Sequence, residues 1–329
     1  MTPNFSFPSS RRLTLPLAVA IWAVVVLVAG FTGAWLGYGG RAVIVALAVA
    51  AALFAFEFFL AVPRILEAAQ AWLGGRLGLL APLVPLLGVV IYCLAVRVSA
   101  EWMAIGVACA IVPALLLAGS AGRSPGHWED YVALVLIWLP VEFRWLYHLF
   151  PNPPGLTHTL TILLALSTAV AAFLLVRKLE GVGYGIEWRR GFTWHILLHL
   201  AIFAAIAIPL GLRLHFIAWA PSAGRMRMLP LSIIGILFFT AWPEEFLFRG
   251  LLQNLLSRTF KSDWAALIVA SVLFGLSHIL HAPFPNWKYV LLATIAGLFY
   301  GHVWMRTRSL LPAVLVHALV DILWHVLFS

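Results

Sequence analysis

Two adjacent carboxylates, Glu244 and Glu245, stand in the run Ala-Trp-Pro-Glu-Glu-Phe-Leu-Phe-Arg-Gly, with apolar sequence on both sides. On a helix Glu245 and Arg249 are at i and i+4 and can pair, whereas Glu244 is turned about 100° from its neighbour and left free to react. Phe274 and His278 follow at the same spacing, with His281 one turn further, and then His317 and Asp321. Ionisable groups at membrane depth are costly, so each calls for a partner, a cavity or a function. A carboxylate and two imidazoles facing one cavity can take a proton from water and donate to the oxyanion formed at an attacked amide carbonyl. Hydrolysis by direct water attack is the chemistry that suits this set. Ser277, beside His278, is the nearest hydroxyl and a weak nucleophile candidate. Pro243 removes a backbone donor just ahead of the carboxylates and is expected to kink or unwind the helix there, opening room for water.

These residues sit in a chain of 329 residues of which 63% are hydrophobic and only 10% charged, against about 25% charged in a soluble domain. A soluble enzyme, a disordered regulator and a fibrous protein are excluded. Apolar runs of roughly 17 to 25 residues, the length that crosses a bilayer, number eleven from Leu13–Leu36 to Leu310–Phe328, and include Tyr131–Leu149, Trp264–Leu280 and Tyr289–Met305. The expected fold is therefore all-α, a polytopic transmembrane bundle of about 11 spans. The first run, after Arg11 and Arg12, reads as a retained span, since no small-residue cleavage site and polar mature chain follow it. With the N-terminus cytoplasmic, thirteen Lys and Arg fall on the cytoplasmic side and six on the other, the bias expected of that orientation. The 15 Trp and 22 Phe suit helix ends at two lipid interfaces.

The net charge of +9 is scattered between spans, where it orients helices and meets lipid headgroups; nucleic acid is not an expected partner. Cys93 and Cys109, inside apolar stretches, read as small core hydrophobes. The stretch Arg177 to Arg190, with Gly181, Gly183 and Gly185, is the most polar connection. It is the expected boundary between residues 1–190, helices of unknown role, and residues 191–329, where the ionisable groups gather.

The series Glu244-Glu245-x-x-x-Arg249, Phe274-x-x-x-His278 and His317-x-x-x-Asp321 resembles, in order, gaps and placement on successive spans, the motif set of the CPBP intramembrane proteases. That family includes CAAX-processing (Ras-converting) endopeptidases and bacteriocin-immunity proteins. The resemblance covers Leu229 to Leu327. It implies a glutamic-type endopeptidase without cofactor, acting on a membrane-bound or lipid-anchored protein or peptide; the short loops between spans point to a multi-pass protein of a bacterial inner membrane. By the same resemblance Glu244 and His278 activate the water, His317 with Asp321 forms the oxyanion pocket, and Glu245 with Arg249 holds the site together. The departure is Asp321, where the best-understood members have Asn: an Asn amide can donate to an oxyanion, but an ionised Asp only accepts. Asp321 is then either protonated or a residue that orients His317.

The competing enzyme reading is a zinc site of Glu244, His278, His281 and His317, although the chain lacks His-Glu-x-x-His. A non-catalytic scaffold or immunity factor would be expected to lose some of the six positions, and a transporter to spread its charges over both halves. Glu142 and Arg144, at i and i+2, do not face each other on a helix. Arg144 is expected to find His148 or Glu57, in a structural role rather than a substrate contact, and Trp324-His325 to anchor at an interface.

Overall fold

The computed structural model describes residues 11–328 apart from Gly74 and Ala121. The chain is almost wholly helical. In its first half α1 (Leu15–Trp35), α2 (Arg41–Leu60), α3 (Pro63–Trp72), α4 (Leu83–Val96), α5 (Ala100–Gly119), α6 (Trp128–Glu142) and α7 (Pro154–Ala169, continued π-helically over Val170–Val176) follow one another. The second half holds α8 (Phe192–Arg213), the long α9 (Leu229–Phe260), α10 (Asp263–Leu276), α11 (Trp287–Thr307) and α12 (Leu310–Leu327).

Eight helical segments among the described residues are long and apolar enough to span a membrane, against about eleven expected. The three other runs are helical but fall short. Tyr131–Leu149 was expected to be continuous, yet α6 stops at Glu142, and Arg144 turns the chain with a φ of 56° into a tight turn at Trp145–His148. A left-handed residue cannot continue a right-handed helix. The helix in Trp264–Leu280 has only 14 residues, and α11 has 21 but carries Lys288, His302 and Arg306.

The polar connection after α7 is stitched into the centre of the molecule rather than looped away from it. Arg11–Arg12 pairs antiparallel with Glu187–Trp188. Tyr184 donates its hydroxyl to Glu57 O (2.9 Å) and the Ile186 amide donates to Ala61 O (2.8 Å), both in the first half. Trp304 Nε1 donates to Val182 O (3.1 Å) and the Leu310 amide to Gly183 O (2.9 Å), both from the second half. One buried core cluster includes Leu60 and Phe173 together with Phe246, Tyr300 and Val316.

Arg177, expected as a loop cation, is buried against Asp130, with Nε 2.7 Å from Oδ1 and Nη2 3.2 Å from Oδ2. It also fixes the loop after α5, donating to Arg123 O (2.9 Å) and Ser124 O (3.1 Å).

Local sequence explains how the last four helices are set. Ser262 caps α10 by accepting from the Ala265 amide (3.3 Å), and Asn286 caps α11 by accepting from the Tyr289 amide (3.0 Å). The two helices pack closely because Gly275 has no side chain: a Cβ there would fall 2.6 Å from Val290 O. In α9 the π-helical turns Leu237–Ala241 and Phe246–Gln253 flank Trp242–Glu245. An interior proline removes an i→i−4 hydrogen bond and crowds the preceding turn, and wider turns absorb Pro243 without unwinding the helix.

Candidate active site

Glu245 is fully buried and its two oxygens have different partners. Oε2 lies 3.1 Å from Nε of Arg249, which is equally buried, and Oε1 lies 2.9 Å from Nδ1 of His317. The guanidinium carbon of Arg249 also sits 4.8 Å from the centroid of the Phe274 ring, a cation–π contact that is strong where water is absent. The i,i+4 spacing in α9 makes the first pair, and α12 brings its histidine to the other side of the same carboxylate.

The opposite nitrogen of His317, Nε2, faces the cavity. Asp321 Oδ2 is 3.4 Å from it and Glu244 Oε2 3.8 Å. Glu244 and Asp321 keep 33% and 27% of their side-chain surface accessible, His317 only 5%. Glu244 Oε2 makes no hydrogen bond among the described residues. Five of the six residues singled out in the sequence thus form one chain of contacts, Arg249–Glu245–His317–Asp321/Glu244, across α9 and α12.

His278 stands apart from that chain. Its Nδ1 donates to Phe274 O (2.8 Å), one turn back, with Ser277 Oγ at 3.2 Å. The carbonyl can only accept, so the proton is on Nδ1 and Nε2 is the ring's free acceptor. It lines the same cavity of about 830 Å³ as Glu244, His317 and Asp321. His281 stacks on His278 with centroids 5.6 Å apart, and no group of three or more His, Cys, Asp or Glu among the described residues is placed to hold a metal ion.

Two tyrosines of α11 complete the walls and were not singled out in the sequence. Tyr300, fully buried, stacks on the His317 ring at 4.6 Å and 15°, and Tyr289 packs 4.5 Å from His278. Both line the cavity. Nothing but a polar-tipped aromatic at the start of an apolar run, Tyr289, and another within it, Tyr300, marked them, a weak signal. The remaining polar residues also differ from expectation. Arg144 meets neither of its expected partners: His148 stacks on Trp102 (4.8 Å) and Glu57 accepts from Ser167 Oγ (3.4 Å). The end of α6 at Glu142 takes residues 144 and 148 off a common helical face.

The arrangement of α9 to α12 can be set beside known proteins. Residues 226–323 match the family described as type II CAAX prenyl endopeptidase, Rce1-like. This agrees with the resemblance carried by the motif series and spans all six of its residues. That likeness, over less than a third of the chain, indicates a protease, and the eight apolar helices fit an integral, multi-pass membrane protein. Comparisons with curated proteins and with solved structures found no match.

Proposed function

We propose that the chain is an intramembrane endopeptidase in which Glu244 activates water against a peptide bond of a membrane-associated or lipid-anchored substrate. The observation that carries this reading is the division of labour between adjacent carboxylates. Glu245 is held by Arg249 and His317, while Glu244 lines the cavity and its Oε2 has no hydrogen-bond partner among the described residues.

In this reading a water lies between Glu244 and the acceptor Nε2 of His278. Glu244 takes its proton as the oxygen attacks the carbonyl carbon, and the carbonyl oxygen becomes an oxyanion. Glu245 accepts from the Nδ1–H of His317 and Asp321 stands at its Nε2, so the ring acts as an imidazolium, both nitrogens protonated, and its Nε2–H donates to that oxyanion. Asp321, on the same nitrogen, supports the second of the two roles open to it: it orients and balances the imidazole, and the donation comes from the ring. When the C–N bond breaks, the proton held on Glu244 passes to the leaving amine. No cofactor enters these steps. The cation bias counted over eleven alternating spans supports a cytoplasmic N-terminus, and the short connections between spans support a bacterial inner membrane.

The test is cleavage of membrane-protein substrates by purified full-length protein, with products read by mass spectrometry. Glu244→Gln keeps the shape and loses the base, so turnover is expected to vanish while the protein stays folded. A strong chelator is expected to leave the parent active. Unchanged cleavage by Glu244→Gln overturns the reading; loss on chelation restored by zinc replaces it with the metal mechanism.

A further inference from the structure

The cavity that holds Glu244 and Asp321 extends to residues of the first half. Arg144, Tyr147 and His158 line it together with Glu244, His278 and Asp321. Arg144 is exposed, lies in the left-handed region at the end of α6, and makes no salt bridge or side-chain hydrogen bond among the described residues. Its nearest acidic neighbour in sequence, Glu142, accepts instead from Trp138 Nε1 at 3.2 Å. Tyr147 carries the guanidinium 5.8 Å from its ring centroid and shares a hydrogen bond with His158 Nδ1 at 3.1 Å. The cavity lining therefore holds a fixed positive charge with two neighbouring hydrogen-bonding side chains, Arg144 with Tyr147 and His158, as well as three carboxylates, Glu142, Glu244 and Asp321.

We propose that Arg144, with Tyr147 and His158, is a binding subsite for a carboxylate of the substrate peptide, and this rests on the protease reading of Glu244. A guanidinium offers two parallel N–H donors matched to a carboxylate and keeps its charge at any accessible pH. Among the described side chains lining the cavity Arg144 is the one Arg or Lys that can attract a peptide carboxylate, which the carboxylates of Glu142, Glu244 and Asp321 repel, so pairing with Arg144 fixes which way the peptide lies. The carboxylate is the free C-terminus or an acidic side chain, and both give the same chemistry at Arg144. The first-half helices α6 and α7 thereby acquire a role, holding the substrate while α9 to α12 act on it.

The experiment measures binding without turnover. Full-length Glu244→Gln protein in nanodiscs is titrated with decapeptide libraries labelled with an uncharged fluorophore that has no carboxylate: one free of Asp and Glu with a C-terminal carboxylate, one identical but amidated, and one amidated with a single Glu. The expected result is at least tenfold tighter binding of a carboxylate-bearing library than of the amidated acid-free one, and which library gains identifies the carboxylate. Adding Arg144→Gln is expected to abolish that difference with the melting temperature unchanged, and Arg144→Lys to keep part of it. Equal binding of all three libraries, or a preference that survives Arg144→Gln, overturns the subsite. So does an Arg144-dependent response to phosphatidylglycerol in the nanodisc with none to the peptides, which would make Arg144 a lipid anchor. Cleavage by protein with Glu244 intact is scored separately, so loss of the protease reading and loss of the subsite give different patterns.

Discussion

Glu245 Oε1 lies 2.9 Å from His317 Nδ1, and the residues that make this contact are 72 positions apart in the chain. It ties α12 to the ion pair inside α9, so a single carboxylate both neutralises a buried guanidinium and fixes the tilt of an imidazole. Neighbouring Glu244 is freed from either duty.

That division separates two substitutions that look alike. Glu245→Gln leaves Arg249 charged and unpaired where both side chains are wholly inaccessible, and breaking a buried pair costs about 3–5 kcal/mol. A marked fall in melting temperature in detergent is expected. Glu244→Gln is expected to melt close to the parent, because its side chain is one-third accessible and its Oε2 gives up no hydrogen bond among the described residues. Replacing both members of the pair, as Glu245→Gln with Arg249→Met, is expected to recover part of the lost stability, the non-additivity of contacting residues. If Glu245→Gln melts with the parent, the pair does not hold the site together.

Asp321 touches the nitrogen through which His317 would donate, at 3.4 Å. Asp321→Asn keeps the shape but replaces a charge that orients and balances the imidazole with a neutral amide. Turnover is expected to fall about tenfold or more, which is about 1.4 kcal/mol of transition-state stabilisation, with little change in melting temperature. Equal or higher turnover would make Asp321 a stand-in for an oxyanion donor instead.

Tyr300 lies parallel to His317 at 4.6 Å and restricts the ring on the face that Glu245 does not hold. Tyr300→Phe keeps the stack and is expected to retain turnover within about twofold, whereas Tyr300→Leu is expected to lose about tenfold, since an aromatic pair contributes about 0.5–1.5 kcal/mol beyond its area. Steady-state kcat for the two variants decides it. An equal loss in both would assign the chemistry to the hydroxyl.

The sequence made the site's outline readable because its acidic, basic and imidazole residues are rare in apolar helices and recur at i,i+4, which places each pair on one face whatever the tertiary fold. It could not show that His278 stands apart from the other five, since helical spacing says nothing of the distance between helices. Tyr289 and Tyr300 were hidden for a related reason: an aromatic residue in an apolar run looks the same whether it packs on Leu or on a reacting imidazole. The spans were over-counted where a local backbone choice, the left-handed Arg144, ends α6 inside a run of unbroken hydropathy. The stretch Arg177 to Arg190 read as a boundary because polar, glycine-rich sequence commonly links domains. Here its carbonyls receive hydrogen bonds from the second half and its own groups donate to the first.

Gly183 shows how that central segment is fixed, and it yields the last prediction. Its φ is +74°, a conformation that carries a penalty for any residue with a side chain, and a Cβ built on it would fall 2.7 Å from Arg308 O and 2.8 Å from Ser309 Cα. The same residue accepts the Leu310 amide at 2.9 Å, which sets where α12 begins and so the height of His317 two turns above. Gly183→Ala therefore meets backbone, not a flexible side chain, and the junction must shift. The expected outcome is a lowered melting temperature together with reduced kcat, because α12 carries both His317 and Asp321. Gly191, whose φ is +98° but whose Cβ would meet nothing within 4 Å, is the control: Gly191→Ala has the backbone strain alone, and is expected to lower stability modestly without touching kcat. If Gly183→Ala lowers stability and leaves kcat per folded molecule at the parent value, the segment braces the fold without setting the register of α12.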